Sequence, residues 1–253
     1  MYSVRSVLAC LFAAITFVAC DAPQTAPPPI GQPAQQPVAS GSRSGSSSSA
    51  LHQPRVVEYY TISLDDVPES AQANTTQNWY FIVDGSGSMR GERLDKGKQG
   101  IISFLQNVPD DNNIGLLIFD DRGTREVVPL GTSNREKFRE EVQAIAAGGG
   151  TPLGVSISRA VSQLKKQYKQ QLGYGGYHVV VVTDGDSSDN AAGPAVELEK
   201  HGFVLYTIGF GGIQNHKLKQ YSADYLTASD EADLAKALTS IVAEPDDDWT
   251  PAD

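Results

Sequence analysis

Across its 253 residues the chain has two cysteines, Cys10 and Cys20, both within the first twenty positions. Nothing downstream of them can form a disulfide or a thiolate metal site. The four histidines, His52, His178, His201 and His216, are scattered without the spacing of a zinc site. Runs of lysine and arginine are missing too, and the formal net charge is −10, which argues against a nucleic-acid backbone as partner. No Gly-Lys-Ser/Thr phosphate loop occurs. A Gly-x-Ser-x-Gly nucleophile elbow fails as well, because Ser88 stands two residues after Ser86. The apolar run near the amino terminus, residues 7–19, is too short to span a bilayer comfortably. What remains is enough chain for one core of ordinary domain size plus extensions.

That short apolar run follows Arg5 and ends in small Ala19, the layout of a secretory signal. Phe17-Val18-Ala19-Cys20 resembles a bacterial lipoprotein signal, which is cut before a cysteine that becomes lipidated. Phe17 departs from the leucine usual there, and an ordinary cleaved signal with an incidental cysteine is the alternative. The resemblance implies a signal peptide over 1–19, lipidation at Cys20, and a lipid-anchored place in the bacterial cell envelope, facing periplasm or exterior. In a Gram-negative cell, Asp21 resembles the residue that retains lipoproteins at the inner membrane. Residues 20–54 are rich in Pro, Gln, Ser, Gly and Ala and bury too little apolar surface to offset their ordering entropy, so they read as a disordered tether. Residues 55–64 have strand-like composition, and 55–76 is expected to be an extra strand or clasp. Residues 244–253 form an acidic, loose tail.

Between these flanks the pattern alternates strand and helix. Residues 78–83 are a near-continuous apolar run, as a strand buried on both faces requires. A helix is expected through Leu94, Ile101, Leu105 and Val108, closed by Pro109. Residues 114–119 and 125–130 flank a short turn and predict an antiparallel hairpin at a sheet edge. A helix over 134–147 ends in Gly148-Gly149-Gly150, and the next opens with Thr151 as N-cap and Pro152 at the first helical position. Further strands are read at 177–183, 203–210 and 225–227, a short helix at 195–200, and a last helix capped by Ser229. The fold class is α/β: a doubly wound, mostly parallel sheet with one antiparallel edge strand and helices on both faces.

Three of the connections carry oxygen ligands. The first apolar strand runs straight into Asp84, and Ser86 and Ser88 follow, with Gly85 and Gly87 letting the loop fold tightly. Thr151 follows the glycine run, and Asp184 follows the strand at 177–183. Ligands of open α/β sheets bind at the carboxyl ends of strands, where these residues fall. Carboxylates and hydroxyls without His or Cys suit a hard cation, Mg²⁺ with Mn²⁺ as the alternative. Two carboxylates balance a divalent charge, while three hydroxyls add neutral oxygens.

Asp84-Gly85-Ser86-Gly87-Ser88, Thr151 in its glycine-rich loop and Asp184 together resemble the von Willebrand factor A domain and its metal-ion-dependent adhesion site. The resemblance covers residues 77–243 and all five positions of the motif. It implies that Ser86 and Ser88 coordinate the ion directly and that Asp84, Thr151 and Asp184 act partly through water. It further implies an open position that accepts a carboxylate from a partner protein. The function expected is therefore a cation-dependent protein-binding module, adhesive or scaffolding, and not an enzyme.

Each residue also has a plainer explanation. Asp84 to Ser88 could be a turn into a helix, Thr151 only a cap, and Asp184 a turn former. Asp186 and Asp189 could tune the site or bind a second ion, with a solvated loop the preferred reading, and turn chemistry accounts for Asp120 and Asp121. Two other functions stay open. A strand ending in Asp84 suits a phosphohydrolase nucleophile, but Ser86 stands where that chemistry wants an acid/base aspartate. A structural lipoprotein could keep the fold without using the metal.

Overall fold

The computed structural model describes residues 62–243. Cys20, the signal and tether segments, most of the strand-like stretch from residue 55, and the acidic tail lie outside the described residues. Leu64–Asp66 forms a 3-10 turn rather than a strand end. The chain beyond it runs past the carboxyl end of a helix described below: Gln72 N–H donates to the Gln170 carbonyl, and the Gln171 side chain donates to the Asn74 and Thr76 carbonyls.

Among the described residues six strands build one sheet: β1 (Asn78–Asp84), β2 (Asn113–Asp120), β3 (Gly123–Gly131), β4 (Tyr177–Thr183), β5 (Val204–Phe210) and β6 (Asp224–Ala228). Their order is β3-β2-β1-β4-β5-β6, parallel throughout except that β3 runs antiparallel to β2. This is the doubly wound sheet with one antiparallel edge strand expected from the pattern. The described residues also form α1 (Glu92–Leu105), α2 (Arg135–Gln143), α3 (Leu153–Gln170) and α4 (Ala192–Lys200) between strands, and α5 (Glu231–Ala243) after β6.

Every residue of β1, β2 and β4 is buried, because both faces of the sheet are covered. Trp79, Phe81 and Val83 point into one core with Ile101 and Phe104 of α1, Phe138 of α2 and Leu238 of α5. Tyr80 and Ile82, one position out of phase, enter the other core with Ile157 and Leu164 of α3 and Leu198 of α4. The period-2 alternation of a strand thus sends neighbouring side chains to opposite layers. Of the scattered histidines, His178 stacks on Trp79 at the start of β4, with ring centroids 4.1 Å apart.

Helix boundaries differ from the sequence reading. Helix α1 stops at Leu105, short of Pro109, and α2 stops at Gln143, leaving Ile145 buried in irregular chain. Helix α4 begins three residues earlier than its apolar residues suggest, at Ala192. Thr151 does not cap α3: Pro152 is the residue before the helix, and no side chain of its own caps it. The exposed N–H groups of Gly154 and Val155 are instead met by the Asp189 carboxylate, at 2.7 and 2.9 Å, from a loop 35 residues on. Asp189 is therefore a helix cap supplied from a distance. Asp230, not Ser229, caps α5, accepting from the Asp233 N–H at 3.0 Å.

Candidate metal centre

The strand order places a crevice between β1 and β4. From β1 the chain winds outward to β2 on one side and later returns to β4 on the other. Loops leaving the carboxyl ends of these two strands part there, and the gap between them is where doubly wound sheets bind ligands. Val83 pairs with Val182, so Asp84 and Thr183 end the two strands side by side, and Asp184 follows at once.

Asp84 has no accessible surface. Its Oδ1 accepts the Ser86 N–H at 2.7 Å and its Oδ2 accepts the Thr183 hydroxyl at 2.6 Å. Thr183 has a single hydroxyl proton, and the carboxylate takes it. In return the Thr183 oxygen accepts the Gly185 N–H at 3.2 Å within its own loop, so Thr183 links that loop to Asp84. Burial pushes the Asp84 carboxyl above its ordinary pKa. The Ser86 and Thr183 hydrogen bonds oppose that rise without cancelling it, and the charge of Asp184 adds to it. None of these influences is a cation.

Across the crevice, Ser86 and Ser88 hydroxyl oxygens lie 3.0 Å apart, and Ser88 donates to Asp184 Oδ1 at 2.6 Å. Four of the five expected ligands therefore form one connected oxygen cluster spanning two loops. Thr151 joins by backbone. Gly87 N–H donates to the Gly149 carbonyl at 3.3 Å, Gly148 N–H to the Gly85 carbonyl at 2.9 Å, and Ser188 N–H to the Thr151 carbonyl at 2.8 Å. Among the described residues its carbonyl takes the contacts of Ser187 and Ser188, and its hydroxyl carries no hydrogen bond.

Gly85 is required for closeness rather than for an unusual backbone angle. A Cβ there would lie 2.6 Å from Ile145 and 2.9 Å from the Asp120 side chain. Gly87, by contrast, has room for a methyl, its nearest neighbour being the Gly149 carbonyl at 3.8 Å. Gly149 does need its glycine, with φ +72° and a Cβ that would fall 3.0 Å from the Asp120 carbonyl.

Several contributors escaped the sequence reading. Arg93, in the first turn of α1, donates Nη1 to Asp184 Oδ2 at 2.7 Å and to the Ser88 carbonyl at 3.3 Å. Its one sequence signal is a basic residue at a helix start, where the dipole favours acids. His216 accepts the Leu218 N–H on Nδ1, which puts the proton on Nε2, and Nε2 donates to the Gly185 carbonyl at 2.8 Å. It braces the loop that carries Asp184. Asp120, expected to serve only a turn, is a buried node held by Arg122 and Arg125.

The residues present fit a divalent cation. Asp84 is a buried acid facing only neutral donors, and the oxygens about it are hard ligands. No group of three or more His, Cys, Asp and Glu side chains is placed to hold a metal ion among the described residues. This donor set has only two carboxylates, the rest being hydroxyls.

The von Willebrand factor type A domain family model matches residues 78–244, the whole sheet and its helices. Among sequence relatives, inter-alpha-trypsin inhibitor heavy chain H4 of Homo sapiens is 26% identical over 146 residues, 53% of this chain. The match covers only 16% of that much longer protein. Among solved structures, a von Willebrand factor type A protein from Catenulispora acidiphila superposes with TM-score 0.57 at 18% identity, over 67% of this chain and 42% of that one. Proximal thread matrix protein 1 from mussel byssus, described with a zinc-occupied MIDAS motif, gives 0.55 at 19% identity, over 68% and 48%. Manganese-loaded TRAP protein of Plasmodium vivax gives 0.53 at 18%, over 67% and 74%. At these identities the structural likeness speaks for the fold.

Proposed function

We propose a function from one premise: this chain belongs to the von Willebrand factor type A domain family. The domain is a protein-binding module whose grip depends on a divalent cation, Mg²⁺ or Mn²⁺, held by Asp84, Ser86, Ser88, Thr151 and Asp184. The observation that carries this is Asp84, a fully buried carboxylate met by neutral donors alone and linked to Asp184 through the Ser86 N–H and the Ser86 and Ser88 hydroxyls. A bound cation would supply the missing counter-charge and a Lewis-acidic position for a carboxylate of the partner. Zinc and manganese in two proteins of like fold support a divalent ion at such a site. Hydrolysis has less support: Ser86 stands two residues after Asp84, where that chemistry wants an acid.

The apolar run before Cys20 supports the further reading that a lipid anchor holds this module in a bacterial envelope, with residues 20–54 as spacer. Pull-down from an envelope extract tests the main proposal. Partners should be retained with Mn²⁺ and lost with EDTA or Asp84→Ala, and equal retention in all conditions would sink the metal-dependent reading. Cys20→Ser in the same cells should release the protein from the membrane fraction, and continued membrane association would remove the anchor.

A further inference from the structure

We propose that Arg93 is a resident cation that sets the balance of this site, weakening its hold on the metal and strengthening its pull on an incoming carboxylate. The inference rests on the divalent-cation reading above.

Asp184 has a fully buried side chain with each oxygen already engaged, Oδ1 by Ser88 and Oδ2 by Arg93. The Arg93 side chain is 45% exposed, so it reaches into the crevice from the solvent side. The fold keeps space for it. Gly211, at φ +79°, passes beside the guanidinium, and a Cβ there would stand 3.1 Å from Arg93 Nε. Arg93 also touches the Ser88 carbonyl, so one guanidinium spans both loops that carry the candidate ligands.

The charge count gives the consequence. Asp84 and Asp184 together neutralise a divalent ion. With Arg93 in place the loaded site carries one positive charge in excess. Entry of the ion then competes with a guanidinium for Asp184, which lowers metal affinity. Once loaded, the excess charge attracts an anionic ligand more strongly than a neutral site would. Arg93 acts through Asp184 and through the local field; it need not touch the ion.

Calorimetric titration of the full chain with Mn²⁺ tests this. Arg93→Gln should bind Mn²⁺ about tenfold tighter than wild type, an ordinary coupling between two cations sharing one carboxylate. Arg93→Lys, which keeps the charge, should fall between the two. Arg90→Gln removes an exposed positive charge from the neighbouring turn without touching Asp184 and should stay close to wild type. Acetate, followed by its displacement of Mn²⁺-bound water in proton relaxation, should bind the loaded Arg93→Gln protein several-fold more weakly. Equal or weaker Mn²⁺ binding by Arg93→Gln, with wild type binding normally, overturns the role of Arg93 alone. No Mn²⁺ binding by either protein overturns the metal reading, and this inference falls with it. An equal gain in Arg90→Gln assigns the effect to general surface charge and also overturns it.

Discussion

Asp84 and Asp120 end two adjacent parallel strands, both with side chains withdrawn from water, and they are stabilised by opposite means. Burial works against both charges. At Asp120 the hydrogen bonds of Arg125, then those of the Arg122 N–H and guanidinium, overcome it and hold the carboxyl well below the usual range. Arg125 engages both oxygens, at 2.5 and 2.9 Å. At Asp84 no guanidinium among the described residues hydrogen-bonds the carboxylate, and burial keeps the carboxyl above its ordinary pKa. Asp184 stands between these cases, with one arginine. The three carboxylates thus have two arginine partners, one and none, and the set runs from a structural joint at Asp120 to the candidate metal centre at Asp84. A buried acid alone says little; the charge of its partners decides whether it holds the fold or awaits a ligand.

The largest effect that tests this contrast belongs to the Asp120 joint. Asp120→Ala should destabilise the domain by about 3 kcal/mol, since it strands two guanidinium groups and frees the Ala144 carbonyl's partner Arg122 to drift. Arg122 and Arg125 are partly exposed and recover some hydration, which keeps the loss at the low end of the range for buried pairs. Thermal melting should drop by roughly 10 °C, equally in Mn²⁺ and in EDTA. A drop seen only with Mn²⁺ would move Asp120 into the metal site and break the comparison.

Next comes the candidate metal centre. With Mn²⁺ at about one hundred times its dissociation constant, wild type should gain about 2.7 kcal/mol, and Asp84→Asn should gain nothing. In EDTA the order reverses: Asp84→Asn should be as stable as wild type or up to about 1 kcal/mol more so, since it removes a buried charge that lacks a counter-ion. The two aspartates also part company in pH. Asp120 has a lowered pKa, so its stabilisation is complete above the ordinary carboxylate value, about 4, and is lost as pH falls below it. Asp84 has a raised pKa, so its penalty sets in as pH rises past that value and is complete above its raised one. Urea melts in EDTA should therefore show the Asp84→Asn advantage growing with pH, while the Asp120→Ala deficit shrinks in acid. Parallel curves would show that the two carboxylates are held alike.

The sequence marked the candidate site more plainly than the Asp120 joint. Asp84, Ser86, Ser88 and Asp184 were legible because each follows a buried strand, and position at a strand's carboxyl end is a local property. Thr151 was legible as an oxygen in the right loop, though its reading as a helix cap was wrong: the cap is Asp189, whose partners lie 34 and 35 residues away. Arg93 meets its aspartate 91 residues on, and nothing near Arg93 in the chain marks that pairing. The arginines of Asp120 are close in sequence, but turn chemistry explained an aspartate there equally well. The sheet was readable for the same reason as the strand-end ligands, since two-sided burial leaves an apolar run of its own. Helix boundaries were not, because tertiary contacts such as the distant Asp189 cap at the start of α3 help decide them.

The finest test concerns Thr183, whose hydroxyl donates to Asp84 Oδ2 and accepts from Gly185. Thr183→Val keeps the shape and removes both bonds inside a buried strand end. In EDTA it should cost about 1 kcal/mol or somewhat more, because Oδ2 becomes an unsatisfied anionic oxygen. A cation bound at Asp84 would satisfy that oxygen directly, so part of the loss should return when Mn²⁺ is added. The mutant's metal-induced rise in melting temperature would then exceed that of wild type by roughly 2 °C. Had Thr183 served a completed joint like that of Asp120, the loss would be the same with and without metal. An equal loss in both buffers would therefore mean that the hydrogen bond, and not an absent cation, is what Asp84 was built to receive.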